Sequence, residues 1–116
     1  MTLPQALILS LLLTELIELP VLFLLGFRGR ELIIAALANV VTNPAVVFLH
    51  ALAGIYLSLP EWSVILVLEV SAVLVEALIY LKATDRRRPL VDSLIANAVS
   101  YFSGLILTTF ILPKIL

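Results

Sequence analysis

The sequence predicts an all-α protein, a four-helix transmembrane bundle, and three observations predict it. Of 116 residues, 63% are hydrophobic, and the mean hydropathy is +1.23. A soluble domain is only about half apolar. The apolar residues fall into four runs, each near the roughly 20 residues that a helix needs to cross the hydrocarbon core. The interruptions between runs are short and carry most of the Lys and Arg. A chain of this size in water would leave too much of its apolar surface exposed, so lipid is its natural solvent. One transmembrane domain over residues 1–116 accounts for the whole length.

The first span covers about 3–27. It lacks Lys or Arg ahead of the apolar run and contains Glu15 and Glu18, so it does not read as a cleavable signal peptide. Arg28-Gly29-Arg30 then leads into a second span, about 31–57. Ser58-Leu59-Pro60 separates that from a third, about 61–82. A polar stretch with Asp85, Arg86, Arg87 and Arg88 leads to the fourth, about 89–112. Pro60 and Pro89 stand at span starts, where a missing N–H costs least. Short connections make successive spans antiparallel neighbours. Tyr56 and Trp62 are placed to mark one membrane interface, and Phe27 and Tyr80 approach the other.

Positive charge sets the expected orientation. Arg28, Arg30, Lys82, Arg86, Arg87 and Arg88 lie in or beside the first and third loops, and only Lys114 lies on the other side. The positive-inside rule then makes these two loops cytoplasmic and puts Met1 and Leu116 outside. The expected location is a prokaryotic cytoplasmic membrane. The Arg86-Arg87-Arg88 run serves as a topology anchor and could meet anionic headgroups.

The chain also carries an internal match. A shift of 58 positions places Glu18 on Glu76, Arg28 on Arg86, Arg30 on Arg88, Ala38 on Ala96, Asn39 on Asn97 and Thr42 on Ser100. Residues 11–45 and 69–103 thus read as two tandem hairpins. Two spans per unit imply a pseudo-twofold axis along the membrane normal. Coincidence is the competing explanation, since leucine matches between hairpins of similar length are cheap.

Each span carries one polar stripe. Spacings of three, four and seven put Thr14, Glu15 and Glu18 on one face of the first span, and Asn39, Asn43 and His50 on one face of the second. The third has Glu69 and Glu76; the fourth has Ser93, Asn97, Ser100, Tyr101, Gly104 and Thr108. At about 1.5 Å per residue, Glu18, Asn39, Glu76 and Asn97 lie roughly 9–14 Å from the basic ends of their spans. Glu15, Asn43, Glu69 and Tyr101 lie roughly 18–20 Å deep on the same rise. Two polar layers result, and the shallower one is duplicated.

Four glutamates lie within the spans with no Lys or Arg beside them. A charge at mid-membrane costs about 2.5–3.5 kcal/mol on insertion scales. Most must therefore hold a proton, or a cation must neutralise them, or water must enter. Carboxylate and amide oxygens are hard ligands, which suits H⁺, Na⁺, Mg²⁺, Ca²⁺ or Mn²⁺. The bland alternative is interhelical glue, at about 0.6–2 kcal/mol per hydrogen bond. Pro20 and Pro44 fall inside spans and free the carbonyls of Leu16 and Val40 near the glutamates and Asn39, a device that broken transporter helices use. His50 is placed near Glu69 in depth, as a proton relay or as a hydrogen-bonded structural residue.

The pattern Asn39-x-x-Thr42-Asn43-Pro44, then Glu69-x6-Glu76-Ala77-x-x-Tyr80, then Ser93-x3-Asn97-x-x-Ser100-x3-Gly104 resembles a group of small four-span prokaryotic membrane proteins. The resemblance covers spans two to four. It implies the fold and transfers no site residue.

These readings lead to a cation or proton transporter or channel unit. Glu18, Glu76, Asn39 and Asn97 form its inner site, Glu15, Glu69 and Asn43 its second layer, and His50 a possible relay. A bound cation is the only cofactor implied. The rival is a structural or assembly subunit whose stripes dock a partner helix. Four spans are few for alternating access, so a homo-oligomer or membrane-complex partner is expected within the lipid bilayer. No nucleophile–base pair points to an enzyme. The absence of Cys removes thiolate chemistry, and no basic aromatic face points to nucleic acid.

Overall fold

The computed structural model describes residues 2–111. Four helices follow in order: α1 (Leu3–Leu25), α2 (Arg30–Tyr56), α3 (Glu61–Ala83) and α4 (Pro89–Ile106), the last running on into a π turn over Leu107–Ile111. All four are long and apolar enough to cross a bilayer. The chain is a multi-pass integral membrane protein. Its outward faces carry side chains such as Leu16, Leu24 and Ile33, which only lipid accommodates over so wide an area.

Each helix packs on two neighbours in a ring, α1 on α2, α2 on α3, α3 on α4 and α4 on α1, with no diagonal packing among the described residues. A ring of four leaves a central axis, which side chains must fill or leave open. The expected spans hold to within a few residues, with two differences of substance. The first helix ends at Leu25 rather than 27. Gly26 adopts φ 115°, and the N–H groups of Gly26 and Phe27 return to the carbonyls of Phe23 and Leu22 at 3.1 and 2.9 Å. This Schellman turn brings Phe27 back onto Leu22. The fourth span is α-helical only to Ile106, where wider π bonding takes over. Its expected end at 112 lies outside the described residues, as do Met1, Lys114 and Leu116 of the orientation argument.

At the end bearing Arg28 and Arg86, called here the basic end, the ring is filled. Leu22, Phe27, Ala35, Ala38, Tyr80 and Ala96 form one core. Alanines at 35, 38 and 96 let the backbones approach, which is how membrane helices pack in the absence of a hydrophobic drive. Phe27 and Tyr80 meet edge to face at 5.2 Å and are both fully buried. They are core residues, which corrects their expected place in an interfacial belt. Tyr56 and Trp62 are exposed, at the far end.

Arg86 closes this end. Its Nε and Nη2 donate to Asp92 Oδ2 and Oδ1 at 2.9 and 3.2 Å. Nη2 also donates to the carbonyl of Leu25 at 2.9 Å, and the guanidinium lies 4.6 Å over the Phe27 ring. The bond to Asp92 pushes the Arg86 pKa upward, so the side chain stays charged. Arg86 is therefore a structural latch, a role that the expected topology anchor did not include. Its counterpart under the 58-residue shift, Arg28, instead donates to the carbonyls of Phe23 and Phe27 on its own hairpin.

Candidate functional site

Directly beyond the core lies the acidic layer. Glu18, Asn39 and Glu76 are each 1% exposed, and Asn97 is also buried. Each sits one helical turn from a buried position nearer the basic end: Glu18 before Leu22, Glu76 before Tyr80, Asn39 after Ala35 and Asn97 after Ser93. The face that packs the core thus also projects these groups toward the axis.

Two of their contacts run between hairpins. The Thr42 hydroxyl of α2 donates to Glu76 Oε2 of α3 at 3.3 Å. Ser100 of α4 stands against Glu18 of α1. These are equivalent contacts under the 58-residue shift. Asn97 and Tyr80 stand beside Glu76, and Glu15 approaches Asn39. Asn97 Nδ2 donates to the carbonyl and hydroxyl of Ser93 at 2.9 and 3.3 Å, and Ser93 donates to the carbonyl of Val73 at 2.9 Å, tying α4 to α3.

Several polar atoms in the layer remain unsatisfied by protein. Glu18 Oε1, Glu76 Oε1, Asn39 Nδ2 and Tyr80 Oη are buried with no hydrogen-bond partner. Buried polar atoms are nearly always paired, and each exception calls for a reason such as water, an ion or a functional role. Glu18 interacts electrostatically with Glu76, Glu15 and Glu69. Among the described residues the ion pairs lie elsewhere, at Arg86–Asp92 and His50–Glu61.

Past the layer the ring opens. A cleft of about 590 Å³ runs along the axis through the far half. That is room for several water molecules. Glu18, Asn39, Glu76 and Asn97 form its floor; Asn43, Glu69, Ser100 and Tyr101 line it further out, with His50 on α2 nearer the mouth. Asn43 Nδ2 donates to the Thr14 hydroxyl at 2.9 Å, joining α2 to α1.

Seven of the eight expected site residues line this cleft. Glu15 does not; it faces α2 at Asn39, with its Oε1 buried and unpartnered. His50 shares the cleft with Glu69, but its Nε2 is paired at 3.6 Å with Glu61, at the start of α3. The prolines do not feed the site. Helices α1 and α2 continue through Pro20 and Pro44, and neither these nor Leu16 and Val40, whose carbonyls they free, line the cleft. The Thr108 side chain lies outside the described residues. Sequence reasoning missed Asp92, which is 5% exposed and holds Arg86. Its signal was available: an acid in the first turn of the fourth span, six residues after Arg86. Comparison with known protein families, with characterised proteins and with solved structures finds no match to this chain.

Proposed function

We propose that the protein is a cation- or proton-handling membrane unit, with its binding site at the bottom of the axial cleft. The observation that carries this reading is the pair Glu18 and Glu76, 1% exposed, each with an unpartnered carboxylate oxygen buried at the floor of a cleft with room for water. Glue would consume these oxygens in helix–helix bonds. A binding site leaves them free.

Ligand number favours H⁺ or a monovalent ion. Among the described residues no three His, Asp or Glu side chains converge to hold a metal, whereas Mg²⁺ and Ca²⁺ take six or more oxygens. The basic end is closed by Phe27, Tyr80 and Arg86. Conduction therefore requires this end to open, or a proton to pass by side-chain relay. With the positive-inside orientation the cleft faces outward.

The test is one conservative substitution read two ways. In proteoliposomes, Glu18→Gln and Glu76→Gln are expected to abolish Na⁺ or H⁺ flux while thermal stability in detergent is retained. Gln keeps size and hydrogen-bonding capacity and lacks the charge. If flux in both variants matches wild type, the glutamates are structural and the reading fails.

A further inference from the structure

The duplicated glutamates do not have duplicated surroundings. One turn after Glu76 stands Tyr80, where the matching place after Glu18 holds Leu22. One turn before Glu18 stands Glu15, where the matching place before Glu76 holds Val73. The first hairpin thus adds a carboxylate near Glu18, and the second adds a hydroxyl near Glu76.

The contacts follow the same division. Donors gather around Glu76: Thr42 Oγ1 stands 3.3 Å from its Oε2, and Asn97 and Tyr80 stand beside it. The Tyr80 hydroxyl is fully buried and committed to no other atom. Against Glu18 the donor is Ser100, and its electrostatic neighbours are Glu76, Glu15 and Glu69. Asn39, the counterpart of Asn97 under the 58-residue shift, stands against Glu15 instead.

Two carboxylates in one low-dielectric layer cannot both be ionised cheaply. Donors favour the ionised form of the carboxylate they face, and neighbouring carboxylates disfavour it. No other titratable group offsets this difference. Those facing the pair are Glu15 on α1 and Glu69 and Tyr80 on α3, while α2 and α4 contribute the neutral Asn39, Thr42, Asn97 and Ser100. His50 is paired with Glu61 near the mouth, and Asp92 with Arg86 at the basic end. The carboxylate oxygens left free at the floor are Glu18 Oε1 and Glu76 Oε1. Two oxygens suffice for a proton, whereas hard metal ions gather a shell of them.

Resting on the cation-handling reading above, we infer that the ion handled is a proton and that the pair divides its work. Glu18 carries the proton. Glu76, held ionised by Thr42, Asn97 and Tyr80, is the fixed counter-charge, and Tyr80 is a positioning residue.

The experiment is infrared difference spectroscopy of the full chain in phosphatidylcholine liposomes at neutral pH. Wild type is compared with variants that each remove one neighbouring hydroxyl and no charge. The carbonyl stretch of a protonated carboxyl responds to its own hydrogen bonds and to deuterium exchange. Ser100→Ala, beside Glu18, is expected to shift such a band. Thr42→Val, beside Glu76, is expected to leave every such band in place and to shift carboxylate bands only. Size-exclusion profiles check that both variants remain assembled. The reverse pattern, or a shifted carboxyl band in both variants or in neither, overturns the inference. Ion identity is read in wild-type proteoliposomes, where proton flux is expected in Na⁺-free buffer. Uptake of radiolabelled Na⁺ that Glu18→Gln abolishes, with no proton flux, overturns the proton assignment and leaves the cation reading standing. Flux unchanged in both Glu18→Gln and Glu76→Gln overturns the two together.

Discussion

The basic half of the bundle and the half beyond it are made from the same four helices, yet they differ in their charged groups. Asp92 and Arg86 are paired in the first, and the carboxylates of Glu18 and Glu76 at the border of the second each keep an unpartnered oxygen. In the basic half, Arg86 meets Asp92 with two bonds, caps Leu25 and lies over Phe27. Ser93 and Asn97 hand their donors to carbonyls and hydroxyls. In the far half, the cleft exposes Glu69, Asn43 and Ser100, and carboxylate oxygens at its floor stay unpartnered. Satisfied polar groups hold a fold together, and unsatisfied ones are available to a ligand. The contrast separates polar groups that are used up in holding the helices together from carboxylate oxygens that are not.

The strongest way to break that comparison is at the latch. Arg86→Ala leaves Asp92 buried without its partner, and breaking a buried pair from one side costs about 3–5 kcal/mol. Reversible unfolding in mixed micelles should show a loss of this size, while Glu69→Gln in the far half stays close to wild type. Equal stability of the two variants would erase the distinction.

A smaller effect is expected at Gly26. Its φ of 115° disfavours any side chain, and a Cβ there would stand 2.9 Å from Arg86 Nη1. Gly26→Ala should cost about 1–2 kcal/mol, the scale of a left-handed residue with a Cβ. Because the clash involves Arg86, the double variant Gly26→Ala with Arg86→Ala should lose less than the two single losses combined.

The internal symmetry can be sharpened by a matched pair. Thr42→Val and Ser100→Ala remove equivalent hydroxyls from Glu76 and Glu18. Each should cost about 0.6 kcal/mol, the average for interhelical hydrogen bonds in a membrane. Unequal costs would show that the hairpins are not energetically equivalent. The smallest effect belongs to the mouth. Glu61→Gln removes an exposed partner of His50, and such pairs contribute about 0–1 kcal/mol, so the melting temperature should barely move.

The spans were legible because hydrocarbon thickness leaves a direct imprint on the length of apolar runs. The acidic layer was legible too. Glu18, Asn39, Glu76 and Asn97 are expensive in lipid, so helical spacing and depth sufficed to gather them at one level. What was not legible depends on three-dimensional detail. Phe27 looked interfacial because its turn back onto Leu22 depends on the conformation of Gly26. Arg86 looked like a solvated charge because its partners, Leu25 and Asp92, belong to other elements. The prolines pointed inward on a rule about freed carbonyls, but Leu16 and Pro20 lie on the exposed face. The closed floor and open mouth had no counterpart in the sequence pattern, since a polar stripe says which face turns inward and not how far the helices stand apart there.

The bond from Arg86 to the Leu25 carbonyl joins residues 61 positions apart. At about 5–20 residues per second of synthesis, roughly 3–12 s separate the making of the two. Until residue 86 has been made, the end of the first helix lacks this partner, and Glu18 still lacks Ser100. Arg86 supplies the cap and α4 then supplies Asn97 and Ser100, so the acidic layer is complete only once the last helix has been made.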